Sequence, residues 1–269
     1  MSHDRTDPLS LAVAERDKMT LALVQEAIAR QDVLLAFQPV VHAANQKKPA
    51  FYEGLIRILD KTGRILPAAD FIDAIEKTET GRQIDCLALS LGLETLFSNP
   101  GLRLSINMSA RSIGYKRWQE ILERGLRQSP TVAERLILEI TESSAMIMPD
   151  IVQAFMSDLQ SRGVTFALDD FGAGYTSFRY LRDFYFDILK IDGQFISGIQ
   201  NNPDNQILTQ ALISIGRHFE MFTVAEFVET AEEAAFLAEI GIDCLQGYYL
   251  GRPTTKPHWT TSEDARQAS

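Results

Sequence analysis

Apolar and polar positions along the chain change period several times, and each change marks an element. Leu9 to Arg30 carries Leu11, Met19, Leu23 and Ile28 at helical spacing, with charges between them, and is predicted helical. Val33–Val41 reads as a strand interrupted by Gln38, and His42–Pro49 as a polar turn. In Ala50–Leu59 the two-residue period puts Phe51, Glu53, Leu55 and Arg57 on one face. After a loop at Gly63–Pro67, helices are expected over Pro67–Lys77 and Gln83–Phe97, the second stopped by Asn99-Pro100-Gly101. From Leu102 onward strand and helix alternate. Strands are predicted at Leu102–Met108, Arg135–Thr141, Val164–Asp170, Asp187–Asp192, Phe222–Val228 and Ile242–Gln246. The intervening helices fall at Ser112–Gln128, Pro149–Ser161, Thr176–Arg182, Asn205–Phe219 and Ala231–Ile240. Elements recurring at roughly 25–35 residues over about 250 residues predict an α/β fold, a single (β/α)8 TIM-like barrel. The turn between the first two strands is too short for a parallel crossover, so that pair should be antiparallel and the barrel irregular at its start.

Barrel strands are covered on both faces and should be almost wholly apolar. Here nearly every one carries a polar residue near its C-terminal end: Glu53 and Arg57, then Asn107, Glu139, Asp169 with Asp170, Lys190, Glu226 and Gln246. Face alternation gives them one destination. Leu104, Ile106 and Met108 oppose Ser105 and Asn107; Leu136, Leu138 and Ile140 oppose Ile137 and Glu139; Phe166 and Leu168 oppose Thr165, Ala167 and Asp169. The bulky face should meet the helices and the other should line the barrel. Any one such acid could be a satisfied core group, and Asp169-Asp170 alone could be a turn plus a surface acid. Several buried carboxylates together need shared compensating charge that Lys190 and Arg57 cannot supply, and folding stability of about 5–15 kcal/mol would not tolerate them bare. Oxygen-only donors without His or Cys fit Mg²⁺ or Mn²⁺ better than zinc. The four histidines fall on tails, a turn and a helix, which disfavours a His-based metal site or a Ser-His-Asp triad. Acids at the C-terminal mouth of a barrel with two such cations point first to phosphodiester hydrolysis, with Arg57 holding a phosphate and Lys190 orienting or helping to deprotonate a water. Enolase-type proton abstraction is the rival chemistry.

Composition narrows the partners. The 269 residues carry a net charge of -10 and are 45% hydrophobic. This disfavours a DNA or RNA groove or an anionic membrane surface, while leaving room for a small anionic ligand received by metal. The two cysteines, Cys86 and Cys244, form no CxxC motif and read as free thiols. No apolar run approaches the ~18 residues that would span a bilayer, and the cytoplasm is the expected compartment.

With these residues assembled, the chain resembles the EAL-domain cyclic di-GMP phosphodiesterase family. Glu53-Gly54-Leu55 followed by Arg57 stands where the family has Glu-Ala-Leu-x-Arg. Phe37-Gln38-Pro39, Ile106-Asn107-Met108-Ser109, Glu139-Ile140-Thr141-Glu142, Asp169–Tyr175, Lys190-Ile191-Asp192, Gln246-Gly247-Tyr248 and Gly251-Arg252-Pro253 follow the family's motifs in order. The resemblance implies a tail over residues 1–17, an EAL-type barrel over 18–255 and a tail over 256–269. It implies hydrolysis of cyclic di-GMP to linear pGpG with one or two Mg²⁺ or Mn²⁺ ions per subunit. Glu53, Asn107, Glu139 and Asp169 would be the primary metal ligands, Asp170 would reach a second metal, and Glu229 would lie close to it. Lys190 would contact the attacking water, Glu226 would be the catalytic carboxylate beside it, and Gln246 would support that shell. Gln38, Leu55 and Arg57 would touch substrate, Glu142 would hold the Asp170–Thr176 loop, and a homodimer is implied.

Some positions depart from the family pattern. Gly54 replaces Ala, and Ala173 and Thr176 replace Thr and Ser. Phe227 stands where the family usually has Gly, and either fills a gap between strand and helix or crowds substrate. The alternative function is a non-catalytic cyclic di-GMP receptor of the same fold; a further one is a metal-dependent barrel enzyme on another phosphorylated or carboxylated substrate.

Overall fold

In the computed structural model, residues 8–172 and 178–259 are described. The chain opens with α1 (Pro8–Arg30), β1 (Val33–His42), β2 (Asn45–Leu59), β3 (Ile65–Pro67), α2 (Ile72–Ile75) and α3 (Glu79–Ser98). It continues with β4 (Leu104–Asn107), α4 (Lys116–Gln128), β5 (Leu136–Thr141), α5 (Glu142–Ala145), α6 (Pro149–Ser161), β6 (Thr165–Phe171), α7 (Phe178–Asp183) and β7 (Ile188–Ile191). It ends with α8 (Gly193–Ile196), α9 (Pro203–His218), β8 (Phe222–Ala225), α10 (Ala231–Glu239) and β9 (Cys244–Leu245). No helix among the described residues is long and apolar enough to cross a membrane.

The sheet runs β1-β9-β8-β7-β6-β5-β4-β2-β3, and an added β1–β2 pairing closes every strand except β3 into a barrel of eight. β1 is antiparallel to both its neighbours, β2 and β9, while β2, β4, β5, β6, β7, β8 and β9 run parallel. The antiparallel first pair is thus as expected, and its short connection is tighter than the sequence implied. β2 begins at Asn45 rather than near Ala50, because Asn45 and Pro49 already pair with His42 and Val41 across a bulged register.

Further elements differ from expectation: α5 and α8 were not expected, and the strand expected over Phe222–Val228 ends at Ala225. The loop at Gly63–Pro67 contains β3, which pairs antiparallel with β2 from Leu59 to Arg57. The helix expected over Pro67–Lys77 is broken: a 3-10 turn at Ala68–Asp70 precedes the four residues of α2. Phe71 causes the break, leaving helical geometry (φ -140°) while burying its ring. α3 starts earlier, at Glu79, because the Thr78 side chain accepts from the Thr80 N–H and caps it. The predicted helix at Thr176–Arg182 is found as α7; its first residues, with Ala173, Tyr175 and Thr176, lie outside the described residues.

The face alternation sorts side chains as expected. Leu104, Leu136, Leu138, Ile140, Phe166 and Leu168 belong to the cluster between barrel and helices. Val40, Phe51, Ile137, Ala167, Ile188, Val224 and Cys244 form a separate cluster; the pleat turns it inward, where it plugs the barrel. Polar groups lie beyond that plug. At the end of the described chain Trp259 packs edge-on against Phe37 and Tyr52, with ring centroids 5.4 and 4.5 Å away.

Candidate active site at the C-terminal mouth of the barrel

Each barrel strand delivers one polar residue to this level. β1 gives Gln38, β2 Glu53, β4 Asn107, β5 Glu139, β6 Asp169 and β7 Lys190, while Glu226 and Gln246 stand one residue past β8 and β9. All except the half-buried Asn107 are buried, Glu139 completely. The registers align them: Gln38 is opposite Glu53 and Asn107 opposite Glu139.

Lys190 is the hub. Its ammonium, 1% exposed, lies 2.7 Å from Asp169 Oδ1, 2.8 Å from Glu139 Oε2, 2.9 Å from Glu226 Oε1 and 3.5 Å from Glu53 Oε2. Burial works against its charge, but the four carboxylates outweigh burial and raise its pKa well above the usual value. Glu53 is also held as a carboxylate: burial opposes its charge, yet Lys190 and the amides of Gln246 and Asn107 lower its pKa. Asn107 Nδ2 donates to Glu53 Oε1 at 2.7 Å and Gln246 Nε2 to Glu53 Oε2 at 2.5 Å. Glu139 is pushed the other way, up to about 8, by burial and then by the charges of Glu53 and Asp169, against Lys190. Glu226 is raised well above the carboxylate range, chiefly by burial.

Both acids of the Asp169-Asp170 pair reach the site through a bulge. The β6–β7 register shifts between Leu168 and Phe171, and Asp170 takes a left-handed φ of 53°, which Asp tolerates better than most residues. Asp169, Asp170 and Glu226 then offer carboxylate oxygens that all lie within 4.8 Å of one another. Burial, followed by the Asp169 charge, pushes Asp170 up to about 6.

The donor set suits a hard divalent cation. Glu139 Oε1, Glu226 Oε2 and Gln246 Oε1 are buried oxygens without a hydrogen-bond partner among the described residues. One ammonium cannot satisfy four carboxylates, and leaving buried acceptors unmet is costly. The acceptors that remain are carboxylate and amide oxygens, the ligands Mg²⁺ and Mn²⁺ prefer. Asn107 has spent its amide nitrogen on Glu53, which leaves its oxygen available.

The other sequence-derived residues surround this cluster. Arg57 is half-buried, and its guanidinium donates to the Ile56 carbonyl at 2.9 Å. Leu55 is half-buried on the same strand. Gln38 donates to the Gly251 carbonyl at 3.1 Å, tying the closing motif to β1. Glu142 accepts from the Gly172 N–H at 3.5 Å, at the start of the loop it was expected to hold; the remainder of that loop, residues 173–177, lies outside the described residues. Glu229 is exposed and its carboxylate is not among the three clustered acids. Gly54 needs no alanine methyl: a Cβ there would come within 2.7 Å of Ile106 Cδ1, which already fills the space.

Two buried acids escaped the sequence reading. Glu233 accepts from the N–H groups of Gly198, Glu229 and Thr230, and so fixes the backbone of Glu229. Its signal was the capping-box spacing Thr230-Ala231-Glu232-Glu233. Asp85 on α3 accepts from Ser109 N–H at 3.0 Å and Ser112 Oγ at 2.5 Å, anchoring the segment after Asn107. Burial pushes its carboxyl up to about 6. Nothing local in Ile84-Asp85-Cys86 distinguishes it from a surface acid on a helix.

The structure is a closed α/β barrel with one mouth lined by acids, amides and a lysine, a donor set that suits a divalent cation. The EAL domain profile matches residues 22–253, and the chain belongs to that family. It is 33% identical over 234 residues to the cyclic di-GMP phosphodiesterase PdeB of Shewanella oneidensis, covering 86% of this chain and 27% of that protein. Against the cyclic di-GMP phosphodiesterase PdeF of Escherichia coli K12 it is 29% identical, covering 88% of this chain and 32% of that one. The chain thus spans about a third of the length of these curated relatives. Among solved structures, a PaMucR phosphodiesterase in complex with c-di-GMP superposes with a TM-score of 0.77 at 29% identity, covering 90% of this chain and 99% of that one. A Klebsiella pneumoniae BlrP1 manganese/cyclic-diGMP complex gives 0.72 at 26% identity, covering 83% and 56%.

Proposed function

We propose that the chain hydrolyses cyclic di-GMP to linear pGpG with one or two Mg²⁺ or Mn²⁺ ions per subunit. The observation that carries this reading is the set of buried carboxylates around Lys190 together with three buried site oxygens that lack partners among the described residues. The names of the similar proteins supply the substrate. Glu53, Asn107, Glu139 and Asp169 would hold one cation, and Asp170 a second, with Glu229 near it. Bound there, such cations lower the pKa of water and neutralise charge on the phosphate oxygens.

This chain's own residues do the rest. With the carboxylates shared by cations, the Lys190 ammonium would have an N–H free to orient the attacking water. Glu226 sits within the same acid cluster as Asp169 and Asp170 and receives the proton that the water loses as its oxygen bonds to phosphorus; the phosphorus–ribose oxygen bond breaks, and the departing oxygen takes up a proton to leave as the ribose hydroxyl. Gln246 and Asn107 hold Glu53 in place through their amide nitrogens. Arg57 binds a phosphate and Leu55 packs against the dinucleotide, while Gln38 lines its approach. Glu142 keeps the start of the Asp170 loop seated. A barrel over residues 18–255 working as a cytoplasmic homodimer belongs to the same proposal; exposed Ile147 and Ile151 beside and on α6 offer apolar surface for it.

The test is hydrolysis of cyclic di-GMP by the purified chain with Mn²⁺. Glu53→Ala should lower turnover at least a thousandfold while circular dichroism stays native. Binding of the dinucleotide by the wild-type chain without any product would favour a receptor instead.

A further inference from the structure

Phe227 is the most anomalous residue at the mouth. Its φ is 54°, in the left-handed region where a Cβ-bearing aromatic is strained. Strain of this kind is ordinarily offset by burial, yet the side chain is 59% exposed. Its neighbours account for the backbone but not for the ring. Glu226, just before it, is pinned to Lys190 at 2.9 Å. Val228, just after it, is fully buried, donates its N–H to the Gln246 carbonyl and accepts from the Tyr249 N–H. A glycine would meet those demands without strain, so the aromatic group itself needs a reason.

The ring has a built seat. A Cβ on Gly193 would come within 2.6 to 2.8 Å of Phe227 Cδ2, Cγ and Cβ, so the ring lies flush on the first residue of α8, over the turn that follows Lys190-Ile191-Asp192. One side of it is backed by the Gly193 backbone, and it has no aromatic partner among the described residues. Tyr248, exposed two residues after Gln246, already has the Arg252 guanidinium 4.6 Å from its ring centroid. A backed, strained and solvent-facing ring beside a carboxylate of the site is the geometry of a stacking platform, and purine bases are the ligands that stack on such platforms.

We propose that Phe227 is a substrate-contacting residue on which one guanine of the cyclic dinucleotide stacks. This rests on the reading of the site as a cyclic di-GMP phosphodiesterase. The ring does not enter the chemistry of the phosphorus centre. Its contribution falls on affinity, and the strained backbone is the cost in stability.

Three readouts on wild type, Phe227→Gly and Phe227→Leu test this. With Mn²⁺ and cyclic di-GMP, Phe227→Gly should raise KM about five- to thirtyfold and change kcat by less than about twofold, in the range that loss of one base–aromatic stack produces. Thermal unfolding should show the Gly variant more stable than wild type, because glycine adopts a positive φ freely. Phe227→Leu, which keeps the bulk and the strain, should recover little of the lost affinity. An unchanged KM in Phe227→Gly would overturn the proposal, and a lowered KM would mean that the ring obstructs substrate. If the wild-type chain binds the dinucleotide but does not cleave it, calorimetric Kd values for the same three proteins decide the role of Phe227 even though the enzymatic reading has failed.

Discussion

Inside the barrel two layers lie one strand repeat apart, and they obey opposite rules. Along β2, β5, β6, β7, β8 and β9 the steps are Phe51 to Glu53, Ile137 to Glu139, Ala167 to Asp169, Ile188 to Lys190, Val224 to Glu226 and Cys244 to Gln246. In antiparallel β1 the same step runs backward, from Val40 to Gln38. The lower layer is apolar apart from the buried Ser105 of β4, and its burial drives folding. The upper layer has the same burial and the same backbone support, but holds four carboxylates on a single ammonium. The difference teaches where stability is made and where it is spent: two residues along a strand separate a packing position from a chemical one.

The comparison breaks most visibly at Lys190. In chelator-treated protein Lys190→Met should destabilise the fold by about 3–5 kcal/mol, since it strands buried carboxylates without their cation. Added Mn²⁺ should restore much of that loss in urea titrations. A loss of similar size that Mn²⁺ does not touch would mean that the layer is an ordinary ion-pair network. In the lower layer, Ile137→Ala should cost about 2–4 kcal/mol through lost packing and leave Mn²⁺ affinity unchanged by calorimetry. Coupling between that plug and the metal would contradict the division into layers.

A buried acid outside both layers serves as the control. Asp85 has its carboxyl raised from 3.8 to about 6. The folded state therefore holds the proton more tightly than the unfolded chain, and stability falls as pH rises from about 4 through 6. The loss is on the order of 3 kcal/mol if the full shift is realised. Asp85→Asn keeps an oxygen for Ser109 and Ser112 and should flatten that decline. An unaltered pH profile would place its origin elsewhere.

Much of this was legible in the sequence because barrel strands are so constrained. A Glu, Asn or Lys on a strand that should be dry has few structural excuses, and the two-residue period says which way it faces. Glu53, Asn107, Glu139, Asp169 and Lys190 therefore assembled as read. What escaped depends on contacts between distant elements. Asp85 becomes special only when α3 meets Ser112, and β3 only when its three residues find the edge of β2. Phe71 interrupts a helix whose periodicity looks sound because burying its ring outweighs one hydrogen-bonded turn. Phe227 was visible as an oddity, but its left-handed backbone and its seat on Gly193 exist only in three dimensions.

Calorimetric titration of Mn²⁺ into chelator-stripped protein in the presence of cyclic di-GMP addresses the upper layer most directly. One or two ions bound per chain, with uptake abolished in Glu53→Ala, is the result that follows from three buried site oxygens unpartnered among the described residues and four carboxylates sharing one lysine. No uptake by the wild-type chain, or equal uptake by the variant, would mean that those acids are tolerated for some reason other than a divalent ion.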